Sequence, residues 1–124
     1  MLYCSETRAL ACLETVVHLD AGGLPLNRYL VEIQVPGNIW LAAETQTANS
    51  LAVGWDAEPA ARRSIDFGTD WLASRRSLLL IVPSVIVIEE TNVLINPDHP
   101  ELHRLRAAKV RRWLYDPRLI RAPL

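Results

Sequence analysis

Glu14 is the only charged side chain between Arg8 and Asp20. Leu10, Leu13 and Val17 recur around it at helical spacing, which sets its carboxylate at the edge of an apolar stripe. A carboxylate placed there must be paired or hydrogen-bonded, because burying it alone is costly. Two roles fit it equally: a structural tie from the helix to a backbone donor, or a working carboxylate in a cleft. His18 follows four residues on and is in reach of a hydrogen bond to Glu14 along one helical turn. Tyr3 stands just ahead of the helix, at the end of a short strand, where a tyrosine serves either packing or a ligand. Ser84 follows an apolar run and a proline in Val82-Pro83-Ser84. Its hydroxyl either meets a ligand or is satisfied by nearby backbone. The chain has no Gly-x-Ser-x-Gly elbow, phosphate-binding loop, Gly-x-Gly-x-x-Gly or His-Glu-x-x-His. Serine hydrolase, kinase, dinucleotide-fold dehydrogenase and zinc protease chemistry are therefore not indicated.

The elements that must carry these residues can be read from periodicity. Ser5 to Leu19 predicts a largely buried helix, with Ser5 or Thr7 as its cap, broken by Asp20-Ala-Gly-Gly. Arg28 to Val35 alternates, with Tyr29, Val31, Ile33 and Val35 on one face, and predicts a half-buried strand. Residues 37–76 hold Trp40, Trp55 and Trp71 and predict short helices and loops, with Asp70 to Ala73 in a helix entered through Gly68-Thr69. Ser77 to Ile88 predicts buried strand interrupted at Pro83-Ser84, and Asn92 to Ile95 a further strand. Asn96-Pro97-Asp98-His99-Pro100 is a turn, a short helical turn follows it, and Lys109 to Tyr115 is the last strand. Helices and strands mix without regular alternation, so the expected class is α+β.

Composition narrows the setting. One domain of 124 residues, half of them hydrophobic, can bury a core. A net charge of -1 favours neither nucleic acid nor a membrane surface as partner. Charge is unevenly spread, however: Arg104, Arg106, Lys109, Arg111, Arg112, Arg118 and Arg121 all follow position 103. They form either a solvated basic strand and tail or a docking surface for an acidic partner. Cys4 and Cys12, both in one N-terminal stretch, make neither a disulfide framework nor a zinc site, which fits a reducing cytoplasm. No apolar run is long enough to cross a bilayer, and the start does not read as a signal peptide.

Taken in order, the blocks resemble the RES-domain toxins of bacterial RES–Xre toxin–antitoxin pairs. The resembling stretches are Tyr3 to Ala11 with Leu13-Glu14 and Val17-His18; Trp55 with Gly68-Thr69-Asp70-Trp71-Leu72; Val82 to Val87 with Glu89 or Glu90, Asn92, Leu94, Asn96-Pro97 and His99-Pro100; and Asp116-Pro117-Arg118-Leu119. The resemblance implies a compact α+β domain with an ADP-ribosyltransferase-like core. It implies NAD⁺ as substrate, no metal, and cleavage of the nicotinamide–ribose bond by hydrolysis, phosphorolysis or ADP-ribosyl transfer. It implies Tyr3 and Glu14 as catalytic residues and Ser84, Asn92 and His18 as NAD⁺ contacts. It also implies a cytoplasmic protein held by an Xre-type antitoxin and self-associated within that complex.

The family carries a Gly-x-Arg-Trp-Asn segment upstream of the position matched by Tyr3, with an arginine expected on the NAD⁺ diphosphate. These 124 residues begin two before Tyr3 and do not contain it. The expectation is thus a single RES domain over 1–124 without that segment, and weak NAD⁺ binding by these residues alone. Arg8 and Arg28 are the nearest arginines, and nothing in their context marks them as replacements. An inactive remnant that keeps only an antitoxin-binding or assembly role is the alternative.

Overall fold

The computed structural model describes residues 1–19, 22–51 and 62–120, the side chains of 62–64 excepted. Asp20-Ala21, Trp55 and Arg121, which figured in the sequence reading, lie outside the described residues. The fold is a mixed α+β domain, as expected. Its centre is a four-stranded sheet in the order β1 (Leu2–Ser5), β5 (Thr91–Ile95), β4 (Leu79–Pro83), β3 (Glu44–Thr45). β1 and β4 run antiparallel to β5, and β3 runs parallel to β4. A separate two-stranded ribbon pairs β2 (Arg28–Gln34) with β6 (Arg106–Trp113). The helices are α1 (Arg8–Val16), α2 (Gly37–Leu41) and α3 (Arg62–Ser74).

Strand register divides the central sheet into two chemically different faces, because alternate residues point to opposite sides. Leu79, Ile81, Val93 and Ile95 point one way and pack with Ile39 of α2 and Leu78 into the main core. Cys4 joins them from β1, and burial pushes its thiol pKa up. The opposite face carries Tyr3, Leu94 and Leu80 in one row and Ser5, Asn92 and Val82 in the next. α3 covers part of this second face through Trp71, which is fully buried against Leu80 and Leu94 and donates its indole N–H to Ser77 Oγ at 2.9 Å.

Several local expectations are corrected. The first helix is Arg8–Val16, not Ser5 to Leu19. Ser5 is drawn into β1 opposite Asn92, and Thr7 is the cap, accepting the Leu10 N–H at 3.1 Å. Only Leu10 of α1 is buried, while Leu13 and Val17 are exposed, so the helix lies on the rim of the domain. Gly68 and Thr69 sit inside α3 rather than at its entrance. The glycine lies where a Cβ would meet the Met1 side chain at 3.4 Å. The expected face of β2 is buried only towards its end, where Ile33 and Val35 pack against the main core. Tyr29 and Val31 are 52% and 49% exposed, and Leu30 and Ile33 are the half-buried positions. A register shift between Leu30 and Val31 breaks the alternation, and a two-stranded ribbon has little to bury against. The last strand begins at Arg106 rather than Lys109 and ends at Trp113.

Candidate active site

A cleft of about 550 Å³ opens on the second face of the sheet. That size lies in the range of small-molecule sites. Leu80, Val82, Pro83, Val85, Leu94 and Phe67 give it an apolar wall; Tyr3, Glu14, His18, Asp66, Asp70 and Asn92 add polar groups. Tyr3 projects from the middle of β1 rather than its end and is 75% exposed, so its ring is open to a ligand.

Glu14 reaches the cleft because α1 is fastened at both ends. At its start, Glu6 accepts hydrogen bonds from the Thr91 N–H and hydroxyl at 3.1 and 3.2 Å, and Thr7 donates to Glu90 Oε1 at 3.0 Å. Near its end, the hydroxyls of Thr15 and Tyr115 share a hydrogen bond of 2.7 Å. Between these anchors the Glu14 side chain turns to the sheet. Its Oε1 accepts two hydrogen bonds of 2.8 Å, one from Ser84 Oγ and one from Asn92 Nδ2. Oε2 receives no hydrogen bond from the described residues.

The two donors are themselves fixed. Ser84 Oγ accepts the backbone N–H groups of Ile86 and Val87 at 3.0 and 3.2 Å, which folds the loop after β4. Its own N–H donates to the Glu90 carbonyl at 2.9 Å. Asn92 Oδ1 accepts the Ser5 hydroxyl at 2.7 Å. Ser5, Asn92, Glu14 and Ser84 therefore form one connected chain across β1, β5, α1 and the β4 loop.

Four of the five residues singled out in the sequence line the cleft: Tyr3, Glu14, His18 and Asn92. Ser84 is 0% exposed, with its hydroxyl turned to Glu14 behind the cleft wall. The expected Glu14–His18 hydrogen bond is not formed. α1 ends at Val16, so His18 falls in the turn beyond it, where its backbone N–H donates to Thr15 O at 3.1 Å. Neither Arg8 nor Arg28 lines the cleft. Sequence reasoning missed Ser5, taken for a helix cap, and Asp66 and Asp70 on α3. The i, i+4 spacing of these aspartates on a helix was the available signal.

The comparisons with known proteins bear on the whole of this architecture. The family model described as RES domain matches residues 1–117. The chain belongs to the RES-domain toxin family. A Prs ADP-ribosylating toxin of a Sphingobium species is 64% identical over 121 residues, covering 98% of this chain and 75% of the relative. A Toxin Res of Yersinia enterocolitica is 32% identical over 119 residues, covering 95% of this chain and 76% of the relative. A Toxin Res of Pseudomonas putida is 34% identical over 103 residues, covering 82% and 67%. The RES match embraces every described element of the central sheet and all of the Glu14 chain.

Proposed function

We propose that this RES domain cleaves the nicotinamide–ribose bond of NAD⁺ and passes the ADP-ribose to an acceptor. The observation that carries this is Glu14: a carboxylate held by one oxygen, with no hydrogen bond from the described residues to the other, in a cleft faced by an exposed tyrosine. Departure of nicotinamide breaks the C1′–N bond, and the electron pair leaves with the ring nitrogen. The ribose is left with oxocarbenium-like charge. A carboxylate oxygen beside it can accept a ribose hydroxyl and stabilise that charge, as in glycoside hydrolysis. The nucleophile then bonds to C1′ and gives up its proton. Tyr3 suits stacking on the nicotinamide ring, and the apolar wall of Leu80, Val82 and Leu94 suits a flat heteroaromatic group.

The name of the Sphingobium relative says that it ADP-ribosylates Prs. At 64% identity, transfer to a protein is the first acceptor to test here, ahead of water and phosphate. The intact clamp on Glu14 supports a working site over an inactive remnant. An enzyme that consumes NAD⁺ harms its own cell, so we also propose an Xre-type antitoxin that covers the cleft in a type II pair in the cytoplasm. Purified protein freed of antitoxin should release nicotinamide from NAD⁺, and should label Prs when given NAD⁺ labelled in its ADP-ribose part. No nicotinamide release, with Prs, phosphate or water as acceptor, overturns the proposal.

A further inference from the structure

We infer that Ser84 and Ser5 are positioning residues that act on the reaction through Glu14 without touching the substrate. The inference rests on the NAD⁺ chemistry proposed above and assigns the two oxygens of Glu14 separate tasks.

The direction of each hydrogen bond carries the argument. A serine hydroxyl has one proton and two lone pairs. Ser84 Oγ already accepts N–H groups from Ile86 and Val87, so its one proton is committed to Glu14 Oε1. On the other side, Asn92 presents its amide N–H to the same oxygen while its Oδ1 takes the Ser5 hydroxyl. Two donors therefore converge on Oε1, which must accept both. Any proton that Glu14 gains or gives up passes through Oε2, as does any contact with a ribose hydroxyl. Ser84 has no exposed surface to offer a ligand. Ser5 stands behind Asn92 and does not line the cleft. Asn92 lines the cleft and keeps a second amide N–H that the clamp does not use, so it alone of the three donors can serve both the clamp and a ligand.

The clamp also explains why residues so distant in sequence meet. Ser5 and Asn92 face each other in the β1–β5 register, and Ser84 follows β4 directly, which is the next strand of the same sheet. The carboxylate is thus fixed to the sheet at the position where the apolar wall ends.

The test separates a positioning role from ligand contact and from mere folding. Ser84→Ala and Ser5→Ala are compared with the parent for kcat, KM and melting temperature, then each is placed in a Glu14→Ala background. Loss of orientation at a reacting group lowers kcat on the order of tenfold to a hundredfold. The expected result is that fall in kcat for Ser84→Ala, a smaller one for Ser5→Ala, and KM for NAD⁺ within about twofold of the parent. In the Glu14→Ala background neither serine change should lower the residual rate further, because their shared target is gone. Where that residual rate is too small to measure, NAD⁺ affinity by calorimetry replaces it, and Ser84→Ala should leave it unchanged. A raised KM or weakened affinity with kcat intact would overturn the inference in favour of ligand contact. Additive losses with Glu14→Ala would overturn it as well. If Ser84→Ala unfolds the β4 loop, Ser5→Ala decides alone, since Ser5 makes no bond to that loop; an unchanged kcat there overturns the inference. A parent with no turnover refutes the NAD⁺ proposal itself, and the two failures are distinct.

Discussion

Glu14→Gln separates the chemistry of this carboxylate from its structural role. The amide keeps the shape of the side chain, and its oxygen can accept the same two hydrogen bonds from Ser84 and Asn92. The charge is lost, and an N–H₂ group replaces the second oxygen. Each bond becomes neutral, which lowers its contribution from about 1.5–3 to about 1 kcal/mol. Two such bonds bound the lost stability at about 1–4 kcal/mol, and solvent screening at the half-buried site holds it to the low end, about 1 kcal/mol. For a chain of this length that is a fall in melting temperature of roughly 3–6 °C. The effect on catalysis should be larger. Removing one electrostatic stabiliser of a transition state costs on the order of a hundredfold or more in rate, about 2.7 kcal/mol or above. Nicotinamide release and thermal unfolding, measured on the same preparation, should therefore show a nearly intact fold and a collapse of turnover. A folded variant with undiminished turnover would refute the reasoning. So would a loss of stability as large as a core truncation, about 3–5 kcal/mol, because Glu14 would then be chiefly structural.

Three further outcomes follow from other parts of the molecule. Arg75, directly after α3, holds a φ of 52°, a conformation that favours glycine, so Arg75→Gly should stabilise the fold by about 1 kcal/mol in denaturant unfolding. Arg76 donates to both oxygens of Glu44 and holds that carboxyl below the usual carboxylate range; a depressed acid stabilises the fold above its unfolded pKa and loses that contribution as pH falls through its folded value, so Arg76→Met should flatten the loss of melting temperature below about pH 5. On the ribbon, Lys109 lies 4.2 Å over Tyr29 and Arg111 4.7 Å over Trp113, and neither cation has a carboxylate partner among the described residues; Arg112→Glu and Trp113→Ala should weaken antitoxin capture or self-association in co-purification, more at low salt for the arginine, and an unchanged yield at two salt concentrations would leave the ribbon a solvated edge.

What could be read from the sequence and what could not divides along a physical line. β4 and β5 were legible because buried strands are near-continuous apolar runs, although the strand expected to continue over Val85 to Ile88 is instead a loop with Val85 and Ile88 exposed; the Asn96 turn was legible because its side chain accepts the Asp98 N–H locally. Glu14 was legible as a lone carboxylate among apolar neighbours. The helix start was not, because Ser5 and Thr7 satisfy the capping rule equally and only the pairing of β1 with β5 decides between them. Gly68 read as a boundary because propensity disfavours it in a helix, but it lies inside α3 beside the Met1 side chain. The face expected for β2 held at Ile33 and Val35, which pack against the main core, and failed at Tyr29 and Val31, which stay exposed. Alternation assumes a regular ladder, and the irregularity at Leu30 and Val31 is set by the partner strand.

The same division explains how one sheet serves both stability and chemistry. Odd and even positions along β5 have opposite duties: Val93 and Ile95 close the core, while Asn92 and Leu94 form the cleft. A one-residue slip of β5 would bury Asn92 among Leu79, Ile81 and Ile39 and place Val93 beneath Glu14. The carboxylate would lose a donor, and a polar amide would enter the main core unpaired. The register that is best for the core is thus the only one that assembles the clamp. Asn96, fully buried at the end of β5, reinforces it by donating to the Leu72 carbonyl of α3 at 3.0 Å. That bond ties the strand's position to the helix that forms the opposite wall of the cleft. The active geometry is therefore held by the same contacts that fold the domain, which is why a short helix on the rim, with a single buried leucine, can present a carboxylate in a defined place.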